Sequence, residues 1–255
     1  MLDSILYHAW YGPLRRPLRP VLHRILPRRH RVISGPLRGS HFDGPETSCR
    51  LGIYELQIQR TLRRLLRAGD VVYDLGANNG YLSLLAARCV GDDGHVYSFD
   101  PLPVNVSRIT SLMAANQIEH QETVPNAVAD RAGLEQLYLT GEADTYTASL
   151  IRQERPHEMM VGVTTLDEFI ASHRRPDLVK MDVEGAEMLI LLGASKLLSD
   201  DLPWLTPRYW LIEVHTPQLE GEVTARLARH GYQIEPLENR YARKPYPRHI
   251  LARQS

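Results

Sequence analysis

Seven residues constrain this chain more than any others: Asp74-Leu75-Gly76-Ala77-Asn78-Asn79-Gly80. Before them, Val71-Val72-Tyr73-Asp74-Leu75 reads as a short strand buried on both faces; after them, Tyr81 to Val90 reads as an Ala-rich helix that includes Cys89. Glycines at 76 and 80 let the backbone turn sharply and approach a ligand with no Cβ in the way. A buried strand, a glycine turn and a helix form the first half of a strand–helix–strand unit. Such units build parallel sheets, whose ligands sit beyond the carboxyl ends of the strands.

The alternation continues on both sides of this unit. Upstream, Ile53, Leu56, Ile58, Leu62, Leu65 and Leu66 recur at helical spacing until Ala68-Gly69-Asp70. Downstream, Gly91-Asp92-Asp93-Gly94 is a turn, His95 to Asp100 a second strand, Pro103 to Asn116 a helix, and Glu122 to Val128 a third strand. Leu134–Thr140 and Met160–Val163 read as strands around a polar loop, Gly141–Glu158. Strand Leu178–Asp182 leads into helix Ala186–Leu198, and strand Tyr209–Val214 into helix Leu219–His230. Tyr232–Leu237 and His249–Ala252 close the chain as an antiparallel pair. The pattern predicts one α/β domain with a mostly parallel sheet.

Lysine plus arginine and aspartate plus glutamate each number 30, and a neutral total argues against nucleic acid as a general partner. The charge is uneven, however. Eight arginines and five prolines crowd Pro13 to Arg38, so residues 1–40 read as a basic Pro/Arg-rich extension and residues 41–255 as the folded domain. The extension suits a solvated tail, a contact with substrate or a carrier partner, or a peripheral foothold on anionic membrane. No apolar run approaches the roughly 20 residues that span a bilayer, and no signal-peptide pattern opens the chain. Cys49 and Cys89 make neither a disulfide framework nor a metal-ligand spacing. A cytoplasmic location is expected.

The glycine loop lacks G-x-G-x-x-G and the phosphate loop ending in Gly-Lys-Ser/Thr, which argues against a nicotinamide oxidoreductase and for a ligand without phosphates. S-adenosylmethionine is such a ligand. Asp100 ends the second strand 26 residues after Asp74, where a carboxylate can accept hydrogen bonds from both ribose hydroxyls. Asp74 is placed near the cationic amino-acid part. A lone strand-end aspartate is more often a helix cap; the loop with two spaced acids is far more specific.

Several blocks together resemble the FkbM family of methyltransferases: Gly52-Ile53-Tyr54-Glu55, Val72 through Tyr81, Phe99-Asp100-Pro101, Asn126-Ala127-Val128 and Thr165-Leu166-Asp167. The most distinctive are Val179-Lys180-Met181-Asp182-Val183-Glu184-Gly185-Ala186-Glu187 and Leu211-Ile212-Glu213-Val214-His215. The resemblance implies a class I, Rossmann-like fold: seven strands in the order 3-2-1-4-5-7-6, helices on both faces, and S-adenosylmethionine as methyl donor. Carried over residue by residue, it puts Asp74, Gly76, Asn78 and Gly80 around the methionine part, and counts Glu55 among the cofactor-binding residues. It puts Asp100 at the ribose and Asn126 with Ala127 near the adenine. Asn79 stands where relatives often carry an apolar residue, and Asn126 also suits a turn.

Methyl transfer is an in-line displacement at an activated carbon, so the enzyme mainly aligns donor and acceptor. A hydroxyl acceptor also needs a base. Lys180 and Asp182 share a face at the end of one strand, as do Glu213 and His215 at the end of another. Glu184 and Glu187 open a helix, where a plain capping role is equally natural. The base is expected among Asp182, Glu213 and His215, with Lys180 and Glu184 beside them. The same three could instead ligate a divalent metal. The favoured activity is O-methylation of a hydroxyl on a sugar, glycolipid or secondary metabolite. The alternatives are N-methylation of an amide or amine, including peptide side chains, and a non-catalytic cofactor-binding protein. Asp182-Val183-Glu184-Gly185, in place of an Asn/Asp-Pro-Pro-aromatic turn, disfavours amino-group methylation of nucleic-acid bases.

Overall fold

A computed structural model describes residues 2–11, 30–140, 147–151, 157–199, 201–237 and 246–254. The core of the sheet starts where the sequence is most apolar: all five residues of β1 (Val71–Leu75) are buried, and β1 pairs in parallel with β2 (His95–Phe99). β3 (Gln121–Val124) extends that side. Two short strand pieces and a hairpin, β4 (Ala127–Val128), β5 (Gly133–Thr140), β6 (Thr147–Ser149) and β7 (His157–Thr164), intervene before β8 (Leu178–Met181), which pairs on the other flank of β1. β9 (Tyr209–Val214), β10 (Tyr232–Leu237) and β11 (Arg248–Gln254) complete the order β10-β11-β9-β8-β1-β2-β3. Counted along the chain within this sheet, that is the expected 3-2-1-4-5-7-6, and β11 runs against its neighbours.

Alternation along the strands divides the core in two. Val72, Leu178, Leu211 and Leu251 face the helices α3 (Leu56–Leu65), α4 (Tyr81–Val90) and α5 (Pro103–Ala115), which follow α1 (Leu2–Tyr11) and α2 (Thr47–Leu51). Val71, Tyr73, Val179, Trp210 and Ile212 face α6 (Leu166–Phe169), α7 (Glu187–Leu192) and α8 (Pro217–Arg229). Each fully buried Leu, Ile or Val contributes about 1.5–3 kcal/mol, which is why a two-faced apolar sheet holds both layers. Thr216 caps α8 by accepting from the Leu219 N–H at 3.1 Å, with Pro217 as the first residue of the helix.

Four local readings are corrected. The third strand is two: β3 ends at Val124, and β4 leaves for a separate four-stranded sheet, β4-β7-β5-β6, that packs on Leu102 and Leu189. The stretch read as loop Gly141–Glu158 supplies β6 and the first two residues of β7; residues 141–146 and 152–156 lie outside the described residues. Helix α3 begins at Leu56, because Gly52 and Glu55 both take left-handed φ, +77° and +40°, and break the apolar periodicity. Helix α7 stops at Leu192, and turns carry the chain through Leu198. Cys49 is the buried cysteine; Cys89 is half-buried.

Most of the Pro/Arg-rich stretch, residues 12–29, lies outside the described residues. The flanks do not behave as a tail: Val32, Leu37 and Phe42 join the main core, and Trp10 of α1 packs on Leu51 and Ile53. Arginine content therefore does not mark the edge of the packed unit. Among the described residues, no helix is long and apolar enough to cross a membrane.

Candidate active site

Two turns meet at the centre of the sheet. The Gly76 and Ala77 N–H groups donate to the Phe99 carbonyl, each at 3.0 Å, and the Asp182 N–H donates to the Leu75 carbonyl at 3.0 Å. Gly76 sits at φ +74°, and a Cβ there would lie 1.8 Å from the Asp182 carbonyl oxygen. Only glycine lets the β1 and β8 turns approach this closely. Beyond them opens a cleft of about 750 Å³, including its mouth, at the carboxyl ends of β1, β2 and β8. The second sheet walls it with Leu137, Ala148 and Leu150.

Of the cofactor residues read from the sequence, Gly76, Asn78, Asp100, Asn126 and Ala127 line this cleft. Asp100 is buried, and its carboxylate accepts from the Asn78 and Leu102 N–H groups at 2.9 Å each, and from Asn105 Nδ2 at 3.1 Å. Burial lifts it to about 6 although these three donors pull it down. Asn105 was not foreseen; a polar residue on the third position of a helix carries no distinctive signal. Gly162 of β7 was also missed, and it makes room for Asn126: a Cβ there would lie 2.5 Å from Asn126 Nδ2.

Three cofactor assignments move. Asp74 lies directly opposite Lys180 in the β1–β8 ladder, and its Oδ1 is 3.0 Å from Lys180 Nζ. Its Oδ2 accepts from Ser83 Oγ at 2.5 Å, and Asp74 is not among the residues that line the cleft. Gly80 caps α4, and a Cβ there would press on Ile109 at 3.1 Å; it is a packing glycine. Glu55 does not line the cleft; its Oε2 lies 3.9 Å from His249 Nε2 of β11. Asn79 is also structural, accepting from the Tyr81 N–H and donating to Cys49 Sγ.

The chemistry-bearing residues of β8 and β9 do come together. The parallel register ends at Met181 opposite Ile212, so the next residues, Asp182 and Glu213, are neighbours. His249 lies across from Glu213 in the antiparallel β11 ladder. His215 Nε2 is 3.7 Å from Glu213 and 3.3 Å from Glu184, and Nδ1 is 3.1 Å from the fully buried Glu187. Glu187 also accepts from the Gly185 N–H at 3.1 Å, so it both caps the turn and holds the imidazole. Lys180 Nζ donates to the Gly76 carbonyl at 3.0 Å and lies 3.9 Å from Asp182. Asp182 and Glu184 reach the cleft wall itself; the others stand behind them.

This crowding separates the protonation states. Burial works against the charged form of Asp182, but Lys180, a hydrogen bond from Glu213 and two histidines overcome it and hold Asp182 low. Burial and the Asp182 charge push Glu213 up to about 9. Burial would lower His215, yet Glu184 and Glu187 raise it to about 10. Burial drops His249 to about 4 and lifts Glu55 to about 7. Burial opposes the Lys180 charge too, and Asp74, Asp182 and Glu55 more than reverse that. At neutral pH, Asp182 is the ionised carboxylate, while Glu213 and His215 carry protons. Among the described residues, Glu55, Asn78 and Glu184 are three of the four non-glycine residues with left-handed φ, which concentrates backbone strain here.

The cleft fits S-adenosylmethionine. It has an apolar wall, one buried carboxylate at the ribose position, and, among the described residues, no lysine or arginine in its lining that would call for phosphates. Three lining carboxylates suit a cationic ligand instead.

The Methyltransferase FkbM domain matches residues 74–234. Over 206 residues the chain is 27% identical to 31-O-demethyl-FK506 methyltransferase FkbM of Streptomyces tacrolimicus, covering 66% of this chain and 75% of the relative. Methyltransferase FkbM from Methylobacillus flagellatus matches its structure with a TM-score of 0.53 at 14% identity, over 95% of this chain and 60% of that one. A putative rRNA methylase from Clostridium thermocellum gives a TM-score of 0.50 at 11% identity, over 77% and 93% of the two chains. These structural likenesses establish the class I methyltransferase fold.

Proposed function

Since this chain belongs to the FkbM methyltransferase family, and is a S-adenosylmethionine-dependent methyltransferase, we propose that it methylates a hydroxyl oxygen of a sugar, glycolipid or secondary metabolite. One observation carries the reading: the carboxylate of Asp182 lines the cleft, 3.9 Å from Lys180 Nζ and beside Glu213 at the neighbouring strand end. When bound, S-adenosylmethionine supplies a methyl group already activated on a sulfonium. The protein must then hold the acceptor in line and take its proton. Asp182 is the base, because of the three it is the one that lines the cleft and the one held ionised. Glu213 donates its hydrogen bond to Asp182 and keeps that carboxylate aimed. Lys180 balances the charges of Asp74 and Asp182 and ties the two turns together. The Streptomyces relative is named for an O-demethylated acceptor, which supports oxygen as the target atom.

The test is direct. The protein is incubated with ¹³C-methyl-labelled S-adenosylmethionine and a panel of polyols, glycolipids and amines, and the labelled carbon is read by NMR. A methoxy shift is expected. Transfer to nitrogen alone would replace the hydroxyl reading with the amine one.

A further inference from the structure

We propose that Asp182, Glu213 and His215 hold a divalent cation at the acceptor end of the cleft, and that the cation takes two neighbouring oxygens of a diol or hydroxy-carbonyl acceptor. The proposal rests on the reading of this cluster as the acceptor end.

Geometry comes first. One ligand atom from each of the three residues lies within 4.8 Å of the others, and Glu213 Oε2 is 3.7 Å from His215 Nε2. Nitrogen and oxygen ligands about 2.0–2.2 Å from a shared ion sit roughly 3–4.4 Å apart, so less than an ångström of closure completes the set. The strands themselves enforce this. Parallel register sets Asp182 beside Glu213, and alternation brings His215 to the same face two residues on.

The imidazole is also prepared as a ligand. Glu187, with no exposed surface, accepts at 3.1 Å from His215 Nδ1 and is itself pinned by the Gly185 N–H. With the proton assigned to Nδ1, Nε2 is the nitrogen that faces the carboxylates. A carboxylate that orients a histidine in this way fixes its tautomer for a metal.

Two further buried atoms are left wanting. Nε2 of His249 and Oε2 of Glu55 have no hydrogen-bond partner; they lie 3.9 Å apart, and His249 Nε2 is 3.8 Å from Glu213 Oε1. Buried polar atoms are ordinarily satisfied. A cation with its bound water, seated beside Glu213, would supply what both lack. Charge points the same way. Five acidic side chains (Glu55, Asp182, Glu184, Glu187 and Glu213) surround two imidazoles, while Lys180 is shared with Asp74, and a cation that displaces the proton of Glu213 adds a further negative charge for itself. One oxygen of Asp182 suffices as a ligand and leaves the second to take the acceptor's proton. Without the cation the cluster holds the protons described above: Glu213 is protonated against Asp182, and an imidazolium donates its Nε2–H to Glu184. Cation binding must release both protons, so the competing arrangement is the protonated cluster itself.

Chelator-treated, dialysed full-length protein separates the two. Mn²⁺ is titrated by electron paramagnetic resonance and by calorimetry, with S-adenosylmethionine titrated in parallel. One Mn²⁺ per chain is expected. Glu213→Gln and His215→Ala should each weaken it at least about tenfold, and Glu187→Gln by about 10–100-fold through loss of the imidazole's orientation. Each variant must still bind S-adenosylmethionine, which shows that it is folded. Saturable cofactor binding with no saturable uptake of Mn²⁺, Mg²⁺ or Zn²⁺ up to about 1 mM would overturn the cation site alone. So would Mn²⁺ binding that is unchanged in a Glu213→Gln/His215→Ala double variant. Failure to bind either cation or cofactor would bring down the functional reading as well.

Discussion

At the β2 end of the cleft, one buried carboxylate, Asp100, meets three N–H donors; at the β8–β9 end, Asp182 meets a second carboxyl group and a lysine. The first arrangement is close to satisfied before any ligand arrives. It offers a neutral partner such as a ribose hydroxyl a place in an existing network, at little cost in rearrangement. The second holds one proton between two carboxyl groups and a further proton on an imidazole, so its protonation state responds to whatever binds. One end is built to recognise and the other to exchange a proton. Substitutions should therefore split cleanly between affinity and turnover.

The largest expected effect tests the reactive end. Asp182→Asn keeps the shape and removes the negative charge, so turnover should fall by about 100-fold or more while S-adenosylmethionine affinity stays within about tenfold. Single-turnover kinetics with calorimetry measures both. Near-normal turnover in Asp182→Asn with an inactive Glu213→Gln would move the base to β9. The next effect tests the recognition end: Asp100→Ala should weaken S-adenosylmethionine by about 2 kcal/mol, close to 30-fold, with turnover at saturation largely kept. A variant that binds normally but turns over slowly would erase the distinction between the ends.

The alternation of strands and helices, the glycine turn, Asp100 at its strand end, and the shared faces that carry Asp182, Glu213 and His215 were legible in the sequence, in short runs read at a period of two or at strand ends. The sheet order was not; it was implied by the family resemblance alone. What was not legible depends on register between distant segments. Asp74 looked free for the cofactor because its partner, Lys180, stands 106 residues away in sequence and becomes its neighbour only when β1 and β8 pair. His249 reaches the cluster only because β11 runs antiparallel against β9. Glu55 does so from a strained turn before α3. The second sheet escaped notice because β5 and β7 pair across a polar stretch with weak alternation, and with it went Ser149, whose hydroxyl donates to the Glu184 carbonyl at 2.7 Å.

A smaller effect sharpens the recognition end. In Gly162→Ala the new methyl would press on Asn126 Nδ2, so the amide must swing off the cleft wall. If that amide meets the adenine, S-adenosylmethionine affinity should drop by about 1 kcal/mol with turnover unchanged. An unchanged affinity would make Asn126 a turn residue and no more.

The smallest effect is one of pH, and it too separates the ends. In the free protein, burial raises Asp100 to about 6, above the ordinary aspartate range near 4. The ribose hydroxyls donate, so the ionised carboxylate is the form that binds them. Cofactor affinity should therefore be flat from pH 8 to about 7 and fall as pH drops through 6. With half of the groups protonated at the midpoint, the loss between pH 7 and 5.5 is only about fourfold. Asp182 is held low and Glu213 high, so neither changes state across that interval. His215, held up near 10, stays protonated through it. Glu55, lifted to about 7, does titrate in the same interval, so the profile alone does not identify the group. Calorimetry on Asp100→Asn and Glu55→Gln beside the parent does. The fall should vanish in Asp100→Asn and persist in Glu55→Gln; the reverse pattern would show that the acid cluster, rather than the ribose carboxylate, sets the cofactor's pH dependence.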